Sequence, residues 1–381
     1  MCKIVGMHLV DLPSCYPPHP GGLEAYAHEL HRQLLAADPD LRITVLTSDT
    51  ASKPGIEHLT DRWTVVRWPS WMPVSPYPVP KPGFHKLLRE YCTPDSVMMT
   101  HTRFFYHAAL ASRFAASRGI RRVHIEHGST PVQSGNGFVR LVANTVDATI
   151  AKVVLGKAAH VVAVSNSARD FVRDLSGREP TVVHRGMELP TDLKAEPTAD
   201  DTVCFVGRLI SGKGVADLLD ATATLHSTGM KARLRICGDG PVRSALEAKA
   251  KTLGLGDHVE FLGAVDHATA LKEIAAATVF VNPSWTEGLP TTVLEAAALG
   301  AAVVATDVGG TSEILDADRT GWLVPAQQPD ALARALGEAL GDAELRRSRG
   351  DALRATTAER FSWDHAVEVI SAMLRGAPVP G

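Results

Sequence analysis

Two carboxylates and two cations stand out for the chemistry their spacing allows. Glu287 and Glu295 are separated by seven residues, Gly288-Leu289-Pro290-Thr291-Thr292-Val293-Leu294. The first falls in a turn rich in Asn, Pro, Ser and Gly; the second falls in the helix-forming run that follows. A carboxylate accepts two hydrogen bonds from a vicinal diol, and a helix start offers unpaired N–H groups to an anion. Both carboxylates could therefore face one small polar ligand. A plainer reading stays open: Thr292 and Glu295 have the spacing of a helix capping box, and Glu287 could be a solvated loop residue. Arg208 and Lys213 lie in Gly207-Arg208-Leu209-Ile210-Ser211-Gly212-Lys213-Gly214. Arg grips an oxyanion bidentately and Lys acts as a mobile point charge. Two surface cations beside a glycine turn would read the same way. The stretch is not a Walker loop, because Gly214 stands where that loop needs Ser or Thr.

The elements that must position these groups can be read from apolar runs. Thr278 to Val281 reads as a buried strand, the Glu287 turn and a helix follow, and Ala301 to Ala305 reads as the next parallel strand. Such a turn opens beyond the carboxyl ends of the strands, where open α/β sheets bind ligands. Thr202–Val206 supplies a strand before Arg208, and Leu234–Cys237 runs into Gly238-Asp239-Gly240-Pro241, with Pro241 placed to start a helix over Val242–Leu253. Val259–Gly263 is a further strand, and Thr306 to Glu313 reads as a glycine turn into a short helix. In the first half, strands are expected at Ile4–Val10, Ile43–Thr47, Val97–Thr100, Val123–Glu126, Val161–Val164 and Thr181–Val183, with helical patterns between most of them. This alternation predicts a parallel sheet covered by helices on both faces. Gly21-Gly22 precedes a helix and would let backbone N–H groups approach an anion, although a plain turn looks the same. His127 ends the strand through Glu126, before Gly128, and His101 is similarly placed after Thr100. A strand-end histidine is more often structural than functional. The Pro-dense segment from Trp63 to Phe84 predicts an irregular excursion from the sheet. Its aromatics (Trp63, Trp68, Trp71, Tyr77, Phe84) could stack on a sugar, dip into a lipid headgroup layer, or, the favoured reading, pack on the domain's own flank.

The chain has 381 residues, 45% apolar and 21% charged, which suits two or three ordinary globular domains. A net charge of −3 gives no basic excess to argue for nucleic acid. Five cysteines without C-x-x-C spacing read as reduced thiols. No apolar run approaches a membrane span, and Lys3–Met7 is too short for a signal sequence, so a cytoplasmic protein, at most peripheral at a membrane, is expected. The polar, Pro-bearing stretch near Gly186 to Asp201 has linker composition.

With these motifs in place the chain resembles the retaining glycosyltransferases of family 4, on the E-x7-E element of Glu287 and Glu295 and the G-R-L-x-x-x-K-G segment of Gly207 to Gly214. The resemblance covers nearly the whole length. It implies an α/β architecture of GT-B type, two doubly wound Rossmann-like domains facing across a cleft. Residues 1–190 would form the acceptor-side domain and residues 191–360 the nucleotide-sugar domain, with a last helix, residues 361–376, crossing back onto the first. By the same resemblance Glu287 holds donor-sugar hydroxyls, Glu295 holds the ribose, and the backbone through Gly288, Leu289, Pro290 and Thr291 meets sugar hydroxyls and phosphate. Arg208 and Lys213 grip the diphosphate, Gly21 and Gly22 form the glycine loop of the first domain, and His127 reaches the donor sugar near the reacting carbon. His127, Glu287, Arg208 and Lys213 would thus be the catalytic set. Gly238-x-Gly240-Pro241 would be architectural, under the nucleotide. His184-Arg185-Gly186-Met187-Glu188 departs from the family's Asn-Gly-hydrophobic-Asp stretch, so no ligand role is carried over there.

The expected co-substrate is a nucleoside-diphosphate sugar, UDP favoured over GDP or ADP because Gly288-Leu289-Pro290 resembles members that build surface polysaccharides. No metal or other cofactor is expected, since the closest D-x-D match, Asp316-x-Asp318, lies beyond a short helix rather than at a strand end. The acceptor would be a glycan, a lipid-linked glycan or a small molecule. No separate nucleophile is placed for covalent catalysis, which suits front-face retaining transfer. Three rivals stay in view. A nicotinamide-dependent dehydrogenase would need a third glycine after Gly238-x-Gly240. A sugar-nucleotide epimerase of the same architecture, or a non-catalytic sugar-binding protein, would share the motifs.

Overall fold

The computed structural model describes residues 6–19, 21–49, 55–74, 77–131, 137–187, 201–317 and 319–380. The chain divides into two compact units, Met1–Gly186 with Trp363–Gly381, and Met187–Ser362. Most of the expected linker, and the start of the strand expected from Ile4, lie outside the described residues. Among the described residues no helix is long and apolar enough to cross a membrane.

In the first unit nine strands form one sheet: β1 (His8–Leu12), β2 (Arg42–Asp49), β3 (Gly55–Thr60), β4 (Trp63–Val74), β5 (Tyr77–Pro80), β6 (Ser96–His101), β7 (Arg122–Glu126), β8 (His160–Ala163) and β9 (Thr181–Val182). Their order is β3-β4-β2-β1-β6-β7-β8-β9, with β5 paired to β4. The central pairs are parallel, and β3 and β5 run antiparallel to β4. Helices fill the crossovers from β1 to β2, β6 to β7, β7 to β8 and β8 to β9, while β3 lies in the one from β2 to its parallel partner β4. The helix Asn166–Ser176 shows how local sequence sets its bounds: Ser165 Oγ accepts from Ala168 N–H at the start, and Gly177, at φ 69°, ends it. The helix Trp363–Arg375 also belongs to this unit, where it packs on the helix Gly22–Ala37.

The segment from Trp63 to Phe84 corrects the sequence expectation. It is not an irregular excursion: β4 is a twelve-residue strand whose register with β2 runs from Ile43↔Trp63 to Asp49↔Pro69. The prolines are tolerated because the first of them, Pro69, comes at the last rung of that ladder. Beyond it β4 pairs only with β5, from Ser70↔Pro80. Trp63 and Phe84 are buried, and Trp68 packs edge-on to Phe84 with ring centroids 6.5 Å apart, so these aromatics do pack on their own unit. Trp71 is 52% exposed, and the side chain of Tyr77 lies outside the described residues.

The second unit holds six parallel strands, β10 (Thr202–Val206), β11 (Arg233–Cys237), β12 (Val259–Gly263), β13 (Val279–Asn282), β14 (Val303–Thr306) and β15 (Trp322–Val324), in the order β12-β11-β10-β13-β14-β15. Side chains alternate between faces along each strand. Val203, Phe205, Val279, Val281 and Val304 enter one apolar cluster, while Phe280, Val303 and Ala305 enter the other. Both faces are therefore buried, which is why these strands read as unbroken apolar runs. The order reverses between β10 and β13, the topological switch point at which open α/β sheets leave a crevice. In the first unit the same reversal falls between β1 and β6.

Candidate active site

In the second unit the loops after β10, β13 and β14 are tied to one another by backbone contacts that only glycine permits. Gly207 N–H donates to Cys237 O at 2.9 Å and Leu209 N–H to Asp239 O at 2.9 Å, so the loop carrying Arg208 rests on the Gly238–Gly240 turn. A Cβ at Gly238 would lie 1.9 Å from Gly207 O, and one at Gly240 2.3 Å from Leu209 O. That turn is thus the seat of the loop, the architectural role expected of it. Pro241 stands one residue ahead of the N-cap Val242 of the helix Arg243–Thr252, not in its first turn as predicted. Arg208 projects exposed from this seat.

The chain then makes a short 3-10 turn, Ser211–Lys213, ended by Gly214 at φ 66°, where a Cβ would meet Pro283 O at 1.9 Å. Trp285 closes the same junction: its N–H donates to Gly212 O at 2.8 Å and its Nε1–H to Asp217 Oδ2 at 2.7 Å. These contacts bring Lys213 onto Glu287, with Lys213 Nζ 2.5 Å from Glu287 Oε1. The hydroxyl of Ser284 stands 2.7 Å from the same oxygen and 2.7 Å from Asn282 Oδ1, and its single proton serves one of them at a time. Lys213 and Glu287 keep 26% and 12% of their side-chain surface, so the pair stays reachable from solvent.

The Thr306 to Glu313 turn has its own task here. Gly310 N–H donates to Gly288 O at 2.8 Å, and Gly309, at φ 58°, lies so close that a Cβ would fall 1.8 Å from Glu287 O. It clamps the backbone that presents Glu287. Gly288 and Leu289 then lead to Pro290, the N-cap of the helix Thr291–Ala298, which has no side-chain cap. The capping box that Thr292 and Glu295 could have formed is therefore absent. Glu295 is buried instead, and its Oε1 lies 2.9 Å from Nε2 of His267, an exposed residue at the start of the helix His267–Ala276. His267 carried no signal in the sequence, since its contact with Glu295 depends on the packing of two helices. Asp318 of the D-x-D match lies outside the described residues.

In the first unit Gly21 and Gly22 open the helix Gly22–Ala37 as expected. The group lying over that start is the chain's own Glu24: a Cβ at Gly21 would fall 2.1 Å from Glu24 Oε2, and Glu24 Oε1 is 3.3 Å from His19 Nδ1. A carboxylate there is favoured by the helix dipole. His127 leaves the carboxyl end of β7 half-buried, with its Nε2 3.1 Å from His101 Nδ1. Burial is the main cause that holds its imidazole well below the usual histidine range. Behind it stands a cluster missed in the sequence. Asp11, at the end of β1, accepts from His101 Nε2 at 3.0 Å, from His31 Nε2 at 2.8 Å and, through its other oxygen, from Leu12 N–H at 2.8 Å. The Tyr16 hydroxyl lies 2.8 Å from His31 Nδ1. The available signal was topological: an acid closing the first strand of a doubly wound sheet falls beside its switch point.

The sequence profile of glycosyltransferase family 4 matches residues 20–189, and that of the glycosyl transferases group 1 matches residues 192–356. The chain is 28% identical to an uncharacterised glycosyltransferase of Methanocaldococcus jannaschii, over 94% of this chain and 96% of that one. It is 31% identical to the alpha-maltose-1-phosphate synthase of Mycolicibacterium smegmatis, over 72% of this chain and 78% of the relative. Sucrose-phosphate synthase from Thermosynechococcus elongatus shares its fold, with a TM-score of 0.83 at 22% identity over 97% and 98% of the two chains. HepE of Anabaena, solved with UDP and glucose, aligns with a TM-score of 0.71 at 16% identity over 97% and 100%. Two doubly wound units, these profiles and these relatives agree: the chain is a glycosyltransferase of family 4, with the Rossmann-like units of the GT-B class.

Proposed function

We propose that this glycosyltransferase moves a hexose-type sugar, with retention, from a nucleoside-diphosphate sugar to a hydroxyl of a glycan, a lipid-linked glycan or a small-molecule acceptor. The observation that carries this reading is the cation–carboxylate pair Lys213–Glu287 beside exposed Arg208 at the β10/β13 switch point. Glu287 accepts sugar hydroxyls, and Glu295, oriented by His267, accepts the ribose diol. As the glycosidic bond breaks, the leaving diphosphate gains charge, so Arg208, Lys213 and the uncapped helix start near Thr291 bind the transition state more strongly than the ground state. These groups supply the positive charge that a metal supplies elsewhere, and the departing phosphate helps take the acceptor's proton.

UDP is favoured as the nucleotide on the strength of Gly288-Leu289-Pro290. A relative from Corynebacterium glutamicum, 24% identical, is described as GDP-mannose-dependent, so the base must be read by experiment. A thermal-shift screen of UDP, GDP and ADP with their sugars, in EDTA, tests the reading. One diphosphate should stabilise the protein, UDP first, and Arg208→Ala should lose most of that shift. No response to any nucleotide would count against the donor; turnover of the sugar nucleotide without an acceptor would point to the epimerase instead.

A further inference from the structure

The buried cluster beside the β1/β6 switch point contains more polar machinery than a sheet edge needs. Asp11, His31 and His101 are each fully buried, and one carboxylate oxygen, Asp11 Oδ2, receives both imidazoles. Burial alone would protonate that acid, but contact with His101 and His31 outweighs it and holds the carboxyl well below its usual range. An ionised carboxylate only accepts, so both rings must carry their proton on Nε2. A ring that carries only that proton has a bare Nδ1. Tyr16, whose hydroxyl is pushed up by burial and so keeps its proton, can donate to that of His31. In that arrangement the Nε2–H of His127 donates to that of His101. His127 is thereby left with a bare Nδ1, which makes no hydrogen bond among the described residues.

We propose that Asp11, acting through His101, is a positioning residue that sets the tautomer of His127, so that His127 offers a lone pair at Nδ1 and meets a hydroxyl of its ligand rather than a phosphate oxygen. A hydroxyl can donate to that lone pair; a phosphate oxygen, itself an acceptor, is repelled by it. The groups facing His127 fit this arrangement. The ring of Tyr26 packs edge-on at 5.0 Å, and Arg185, whose guanidinium lies 5.7 Å from the Tyr26 ring, adds positive charge that opposes an imidazolium. Glu126, the neighbouring acid, is already engaged by Arg103 at 3.1 Å and by Gly128 N–H at 2.8 Å. The ligand part of this assignment rests on the sugar-transfer reading; the tautomer part does not.

Long-range proton–nitrogen spectra of the histidine-labelled protein at pH 7, assigned with His127→Gln, read the proton directly. The expected result is His127 protonated on Nε2 and bare on Nδ1. Asp11→Asn should invert it. Leu12 N–H keeps the amide oxygen on its own side, so the amide nitrogen faces the two imidazoles and forces each Nε2 to accept. The proton of His127 then moves to Nδ1. Transfer by Asp11→Asn should fall about tenfold or more at little-changed donor KM, because the hydroxyl meets a donor in place of an acceptor. A proton on Nδ1 of His127 in the unsubstituted protein, or on both its nitrogens, overturns the relay whatever the enzyme transfers. That spectrum decides the matter even if Asp11→Asn does not fold. The expected tautomers with an unchanged transfer rate in Asp11→Asn would overturn the positioning role.

Discussion

The two sheets of this enzyme treat charge at their switch points in opposite ways. In the first unit the titratable groups are inside: Asp11, His31, His101, His107, His124 and Glu126 are buried, together with Arg103 and Arg122. In the second unit Glu295 is the only buried charged side chain among the described residues, while Arg208, Lys213 and Glu287 sit on loops with access to solvent. Buried polar groups are held by geometry and keep one proton arrangement; half-exposed ones exchange partners cheaply. The first arrangement suits presenting a fixed hydrogen-bond pattern. The second suits receiving a ligand whose charge changes during the reaction.

Acid should separate the two units most sharply. Burial lowers His107 and His124 to about 4. Burial alone would raise Glu126, yet Arg103 and His124 outweigh it and hold the carboxyl at about 2. All three groups bind fewer protons folded than unfolded, so stability rises with pH. The histidine contribution is fully present above pH ~6.5 and is lost as pH falls toward about 4, roughly 3 kcal/mol for each. That of Glu126 is present above its unfolded value and is lost below it, toward about 2. Hydrogen-exchange mass spectrometry at pH 7 and near pH 4.5, corrected for intrinsic rates, should find the first unit opening before the second. Equal loss in both units, or earlier loss in the second, would remove the contrast.

The next largest effect belongs to the half-buried Lys213–Glu287 pair. Glu287→Gln keeps the shape but removes the charge that Lys213 and Ser284 meet. Sugar transfer should drop by about a hundredfold or more, with thermal stability little changed because the amide oxygen still accepts from Lys213 and Ser284. A large fall in melting temperature would mean the pair is structural. A smaller effect tests the clamp behind it. Gly309→Ala forces a Cβ to within 1.8 Å of Glu287 O at a positive φ, so the loop must shift. Transfer should fall about tenfold, since small displacements of positioning groups are costly. Gly119→Ala, also at positive φ but with nothing within 4 Å, is the control: it should cost about 1 kcal/mol of stability and no activity.

The second unit was legible because its information is local. Apolar runs buried on both faces marked β10, β11, β13 and β14, and the motifs between them carried Arg208, Lys213, Glu287 and Glu295 onto loops of one sheet. What could not be read there were contacts made across loops, such as Gly309 against Glu287 and His267 against Glu295. The first unit hides more. The Asp11 cluster joins residues from β1, β6 and a helix, and the residues that meet, such as Asp11 and His101, stand 90 apart in the chain. The strand through Trp63 failed for a different reason. Proline density argued against a strand, but it could not reveal that β4 loses its partner β2 at Pro69, where proline is no longer costly.

That same strand offers the smallest effect and a fine test of what burial means here. Trp68 and Trp71 stand three residues apart on β4 and so point to opposite faces. Half-buried Trp68 packs with Val66 against the Phe84 cluster and donates its Nε1–H to Lys81 O at 3.0 Å. Trp71 shares a face with Trp63 and Val65, but it lies past the end of β2, with no strand left to carry a covering layer, and is 52% exposed. Trp68→Ala should therefore cost about 2 kcal/mol or more, and Trp71→Ser within about 0.5 kcal/mol, read by urea unfolding of the whole chain. If Trp71→Ser proved as damaging as Trp68→Ala, the tip of the β4–β5 hairpin would be part of the folded core, and the outward face of the first unit would need redrawing.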